Sequence, residues 1–346
     1  QTCALPISAG NPSPAAAPAT AAELAYVPNA DSNTVSVFDS KSLVSAAPIP
    51  VGTSPVAVAF SPEGSRAYVA NNLGAGDLSV INTTTGSVVS TVAIAGLPEA
   101  VAVSPDGSTV AVTSENGSDE ALSFYSTATN TVSAPLTIPA IGIAGDVVFS
   151  ADGKYAFVLD YDDGIIITVD VAANTIVSQV PSSCTFASRI ALSPNGSTLA
   201  VICTGSVKLF SAQQTPVAGP ALALDIDGLG VEFAPDGSSL YVSGIGNVAG
   251  EGVVKRLDPA TLVLQSSSPS PPLAAKVSAI GITPDASRAL ALQTTADPGS
   301  VAGLAVPGLA PNARESIAIS AHFAPSRSLV QRISPTFSLA AKPKRF

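Results

Sequence analysis

One five-residue phrase returns along the chain and constrains what it can fold into. It reads Ser61-Pro62-Glu63-Gly64-Ser65, then Ser104-Pro105-Asp106-Gly107-Ser108, Ser150-Ala151-Asp152-Gly153-Lys154, Ser193-Pro194-Asn195-Gly196-Ser197 and Ala234-Pro235-Asp236-Gly237-Ser238. A sixth, eroded copy is Thr283-Pro284-Asp285-Ala286-Ser287, and successive copies lie 43, 46, 43, 41 and 49 residues apart. Pro fixes φ for the first corner of a tight turn, Asp or Asn bonds its own following backbone, and Gly takes the positive-φ position. Each copy therefore predicts a compact hairpin within a repeated supersecondary unit.

Short apolar runs flank every copy. They precede it at 56–60, 100–103, 147–149, 190–192, 231–233 and 280–282, and follow it at 67–69, 110–113, 155–159, 199–202, 240–243 and 289–292. The runs are apolar on both faces and rich in Val and Ile, as strands packed between two neighbouring sheets must be. Two further strands, such as 78–81 and 88–94, complete a unit of four strands in roughly 43 residues, the period of a propeller blade.

The segments Arg66-Ala67-Tyr68-Val69-Ala70-Asn71, Asp77-Leu78-Ser79-Val80-Ile81-Asn82 and Gly86-Ser87-Val88-Val89 recur in register, and Ala25-Tyr26-Val27-Pro28-Asn29 with Asn33-Thr34-Val35-Ser36-Val37-Phe38-Asp39 repeats them more closely still. Over about residues 23 to 300 the chain resembles the YVTN-type β-propeller repeat. That resemblance implies a propeller, with relatives among cell-surface and periplasmic proteins of bacteria and archaea and among lactonase-like propellers. One fold hosts many activities, so it does not choose between them.

Strands before the turns begin near residues 55, 98, 143, 187, 228 and 277, and three more lie near 24–28, 34–38 and 43–51 with none before them. Residues 316–323 precede Ala324-Pro325-Ser326, which echoes the turn phrase. The expectation is an all-β, seven-bladed propeller of four-stranded antiparallel blades, with one C-terminal strand joining three N-terminal strands to close the ring. Residues 1–22 are expected to be a non-native start, 1–7, followed by an Ala/Pro-rich linker; residues 23–328 form the propeller and 329–346 a basic tail. The chain shows no apolar stretch of about 18 residues free of Pro, Gly, Asp or Ser, hence no transmembrane segment, and no signal peptide is visible. A secreted or envelope location and a monomeric state are expected.

Residues 311–346 carry a net +5 and the remainder −15. The loops between second and third strands hold Asp31, Asp77, Glu115, Asp119, Glu120, Asp160, Asp162, Asp163, Glu251 and Asp297 without a Lys or Arg. Such a face suits a cation or a protein or glycan partner and repels nucleic acid. Asp160, Asp162 and Asp163 offer hard oxygens for Ca²⁺, although the segment departs from the Asp-x-Asp-x-Asp-Gly ligand pattern and also reads as a plain tight turn. Glu99, Asp146, Arg189, Asp227 and Lys276 stand at the starts of inner strands, where they would surround the mouth of an axial channel and bind a ligand. In a lactonase-like hydrolase, Glu99 or Asp146 would be the general base and Arg189 the oxyanion stabiliser. The single His, His322, gives little basis for a Ser-His-Asp triad. Cys184 and Cys203 come near one another about three residues out of register, as a disulfide or as two buried thiols.

Overall fold

The computed structural model describes residues 24–40, 44–117, 119–139, 144–184, 186–246, 251–267, 276–283, 288–294, 300–305 and 317–318. The expected linker at 1–22, the turn at 284–287, His322 and the tail at 329–346 lie outside the described residues.

The turn phrase folds as its residues dictate. The amides of Gly64, Gly107, Gly153, Gly196 and Gly237 donate to the carbonyl three residues earlier at 2.8–2.9 Å, and these glycines have φ of 70–71°. The third residue accepts from the amide two places on, as in Asp106 from Ser108 at 3.0 Å and Asp236 from Ser238 at 2.9 Å. The leading serine has a role of its own: Ser61, Ser104, Ser150 and Ser193 accept from the amide five residues later at 2.9–3.1 Å.

Among the described residues the strands build six hydrogen-bonded sheets. Sheet 1 comprises Leu24–Asn29, Thr34–Asp39 and Ile49–Pro50 with Ile317–Ala318 added, and sheet 2 comprises Pro55–Phe60, Arg66–Asn71, Asp77–Asn82 and Ser87–Ala93. Sheet 3 holds Leu97–Val103, Thr109–Asn116 and Asp119–Ser126, with Thr131–Val132 and Leu136–Ile138 on its outer side; sheet 4 holds Ala144–Phe149, Tyr155–Asp160, Ile165–Asp170 and Thr175–Pro181. Sheet 5 has six strands, Ala187–Leu192, Thr198–Ser211, Ala218–Phe233, Leu240–Gly246, Gly252–Leu257 and Leu264–Ser267. Sheet 6 is Lys276–Ile282, Arg288–Thr294 and Ser300–Ala305.

The leading strands of sheets 2, 3, 4 and 5 pack on one another in chain order, Ala218–Phe233 continues the circuit to Lys276–Ile282, and Ile317–Ala318 touches both Lys276–Ile282 and Pro55–Phe60. The sheets thus stand around an axis and the circuit closes. Apolar side chains fill the layers between neighbours: Tyr26 and Val37 with Val58 and Val69, Leu78 with Val101 and Val112, Phe124 with Phe149 and Val158, and Phe157 with Ile190 and Phe210.

Two expectations need correction. Six sheets form rather than seven four-stranded ones, because Ala218–Phe233 runs unbroken from the outside of sheet 5 to its interior. In sheets 2 and 3 a proline, Pro55 or Pro98, ends this passage, whereas Ala218–Phe233 has Gly228 at the same place and so keeps a backbone amide for the ladder. Thr198–Ser211 doubles back near Gly205, since the Ala212 amide bonds the Ser197 carbonyl at 2.9 Å. The closing strand is also not antiparallel: Ala25 pairs with Ile317 and Tyr26 with Ala318 in parallel. Tight hairpins impose antiparallel order in the other sheets, and no hairpin joins these two segments.

Among the described residues no helix is long and apolar enough to cross a membrane.

Candidate functional site

A register shift recurs at one place in the leading strand of five sheets and in Ala218–Phe233. It falls between Pro55 and Ala57, Pro98 and Ala100, Ala144 and Asp146, Ala187 and Arg189, Gly228 and Gly230, and Val277 and Ala279. Each is a bulge whose extra residue stands five places before the turn phrase. A bulge re-aims side chains and breaks the even alternation of a strand. Glu99 is itself the extra residue, and Asp146 and Arg189 follow it directly in their strands.

Leu97–Val103, Ala144–Phe149 and Ala187–Leu192 carry one charged side chain each, Glu99, Asp146 and Arg189, and the inner part of Ala218–Phe233 carries Glu232. Glu99 is 7% exposed and accepts from Asn72 Nδ2 at 2.7 Å. Burial pushes its carboxyl up to about 7, the Asn72 bond pulls it down, Glu115 adds to the rise and Arg189 opposes it. Asp146 is committed to backbone, accepting from the Val147 amide at 2.9 Å and, across the sheet boundary, from the Ile190 amide at 3.2 Å. Burial raises its carboxyl while Arg189 and the two amides lower it. Arg189 donates through Nη1 to the Ser188 carbonyl at 2.9 Å, and its buried Nη2 has no partner. Burial lowers this guanidinium, and Asp146 and Glu99 counter the fall. Glu232 is open to solvent yet closely surrounded by protein, as a side chain in a narrow channel would be, and enclosure and then Asp146 push it up to about 7.

The sequence reading missed Glu232, which lies inside an apolar run, Val231 to Phe233; its one signal was a charge at an inner-strand position. Of the other expected channel residues, Asp227 is exposed and pairs in register with Ile245 and Thr204, and the side chain of Lys276 lies outside the described residues.

The acidic loops share the end of the strands at which Glu99 lies. Asp162 and Asp163 are exposed, and Asp160 is fully buried. Asp160 caps its own turn by accepting from the Asp163 amide at 2.6 Å, and among the described residues no group of three His, Cys, Asp or Glu is placed to hold a metal ion. The tight-turn alternative describes the segment. Glu120, 1% exposed, lies in the layer between sheets 3 and 4 with neither carboxyl oxygen bonded. Burial, Asp160, Asp162, Glu99 and Glu115 push it up to about 8. Lys208 reaches this end of the molecule but donates to the backbone carbonyls of Ser182 and Ser183.

Cys184 and Cys203 form a disulfide with Cα atoms 5.6 Å apart. Cys203 pairs in register with Ala187, so Cys184 sits three residues beyond the ladder and reaches its partner from the incoming linker. A cavity of about 480 Å³ lies at the opposite end between sheets 3 and 4, walled by turn residues such as Asp106 and Asp152 that already cap their own turns.

No family model matches the chain, and no curated protein matches it. Solved structures do. A protein of unknown function from Desulfotomaculum acetoxidans is 16% identical, with 86% of this chain and 99% of that one covered at a TM-score of 0.70. Kuenenia stuttgartiensis hydrazine synthase is 18% identical, covering 83% of this chain and 97% of that one at 0.65. The β-propeller domain of Myceliophteria thermophila Cps50 (Swd1) is 11% identical, covering 79% and 93% at 0.62. The fold is a β-propeller. At these identities the likeness extends to the propeller architecture alone.

Proposed function

We propose that this propeller is a non-catalytic binding protein of the bacterial cell envelope or secreted fraction, built on YVTN-type repeats, that captures a basic protein segment on its acidic loop face. We also read the six-stranded sheet as two wedges sharing one strand, which gives the ring seven angular positions. One observation carries the binding reading: Asp31, Asp119, Asp162 and Asp163 are exposed on loops of sheets 1, 3 and 4 at one end of the strands. A field of that sign draws in cationic partners and repels phosphate backbones. The Cys184–Cys203 disulfide supports an oxidising compartment.

Immobilised Lys-rich and Glu-rich peptides test the reading. The Lys-rich peptide should bind purified protein, more weakly as salt rises, and the triple variant Asp31→Asn, Asp162→Asn, Asp163→Asn should weaken it about tenfold or more. Equal binding to both peptides would sink the idea.

A second reading, a lactonase-like hydrolase, is favoured by Glu99, whose carboxyl near 7 suits a general base and which stands in the field of Arg189. Lactone hydrolysis by purified protein, abolished by Glu99→Gln, would favour it over the first.

A further inference from the structure

Strand alternation sets Glu120, Leu122 and Phe124 on one face of sheet 3. That face packs on Val147, Phe149, Ala156 and Val158 of sheet 4, with the Phe124 and Phe149 rings 6.4 Å apart. On the opposing wall Ala156, Val158 and Asp160 share a face by the same rule. The layer therefore runs apolar for two rungs and ends, at the loop face, in two facing carboxyls.

Both are buried, Glu120 at 1% and Asp160 at 0% exposure. Neither oxygen of Glu120 has a partner, nor has Asp160 Oδ2. Glu115 stands directly across from Glu120 on the neighbouring strand, while Ile138 flanks it on the other side. The groups that bear on Glu120 are thus Glu115 from its own hairpin, Glu99 from the inner strand, and Asp160 and Asp162 from sheet 4, all acidic; Leu136–Ile138 brings no titratable group.

Internal repetition sharpens the point. Asp160 occupies the place, ten residues after the turn phrase begins, that Asn71 fills in sheet 2, where Asn71 Nδ2 donates to Ser79 Oγ at 2.9 Å. In sheet 4 the residue aligned with Ser79 is Ile167, which has no hydroxyl. An unpaired carboxylate inside an apolar layer is too costly to persist, and the neutral acid is the available alternative.

We propose that Glu120 is a proton-held latch: protonated, it lets sheets 3 and 4 close against one another at the loop face, and on losing that proton it forces this end of the layer apart. The step is a simple acid dissociation, the proton passing to solvent. This goes beyond the binding reading and does not depend on any partner.

The sign follows from burial. A carboxyl raised in the folded state contributes no penalty below its unfolded value, near 4.5, and an increasing one until about 8. Stability should therefore fall with rising pH over that window. Infrared spectroscopy of the full chain at neutral pH should show protonated-carboxyl absorption to which Glu99 and Glu232 also contribute, and the difference between wild type and Glu120→Gln should isolate one carboxyl whose band disappears as pH rises through about 8. Amide hydrogen exchange in 119–122 and 158–160, corrected for intrinsic base catalysis, should speed about tenfold per pH unit across the transition in wild type and stay level in Glu120→Gln. Asp160→Asn, by removing a neighbouring charge, should move the wild-type transition to lower pH. The latch is overturned if Glu120→Gln loses no protonated-carboxyl absorption relative to wild type at neutral pH, or if it loosens with pH as wild type does.

Discussion

Asn71 shows how much one side chain can organise in this protein. It is fully buried, and its amide donates to Asp77 Oδ1 at 2.6 Å and Ser79 Oγ at 2.9 Å, tying the second strand of sheet 2 to the third. Asn29 repeats the bond to Ser36 at 2.9 Å in sheet 1. At the same repeat position Ser114 donates to the Ala95 carbonyl at 2.7 Å, and Cys203 makes a covalent bond to Cys184. In sheets 3 and 5 the position thus fastens the incoming linker to the second strand, by a hydrogen bond or a disulfide. Asn71→Ala should lower unfolding free energy by about 1–2 kcal/mol, because the buried Ser79 hydroxyl and the half-buried Asp77 carboxylate lose a donor; the shift of the denaturation midpoint at unchanged slope measures it. The Asn was visible in the sequence as part of the repeat. Its partners were not, because which hydroxyl faces it depends on hairpin register. Glu120 was hidden for a similar reason: it reads as one more loop carboxylate until the strand is seen to begin at Asp119 and turn it inward.

At the scale of elements, the turns and the strands beside them were the most legible parts, since Pro, Asp and Gly act locally and every copy repeats the same bonds. The bulges were not legible. They fall five residues before each turn phrase on Val56, Glu99, Gly145, Ser188, Leu229 and Ser278, side chains with nothing in common. The bulge is imposed by the packing of inner strands around the axis, so no residue type marks it. Glu99 and Arg189 stand at or beside a bulge and could be proposed from position, whereas Glu232 lies three residues past one and was missed. The disulfide is an element-level staple, joining the linker into sheet 5 to its second strand across 19 residues. Reduction, or the double replacement Cys184→Ser and Cys203→Ser, should cost about 2–4 kcal/mol. Thermal unfolding with and without reductant checks this, and the double variant should be indifferent to reductant.

For the whole molecule, cohesion is distributed: each apolar layer belongs to two neighbouring sheets, and stability is a sum over such interfaces. The closing joint is short, made by Ala25 with Ile317 and Tyr26 with Ala318. Removing residues 306–346 should leave Leu24–Asn29 as an open edge and bring earlier melting with concentration-dependent association, measured by light scattering during a thermal ramp. The architecture followed from the repeat period, while the fusion in sheet 5 and the parallel closure did not. Both arise where the local turn signal is missing and long-range packing decides.

Because Leu24–Asn29 and Ile317–Ala318 lie side by side, the polypeptide need not start where it does. A gene rearranged to splice those neighbours through a flexible crossover of about a dozen residues, and to open instead within the exposed stretch around Leu73, would still encode the same wheel. Such a circular permutant would turn its closing seam into continuous chain.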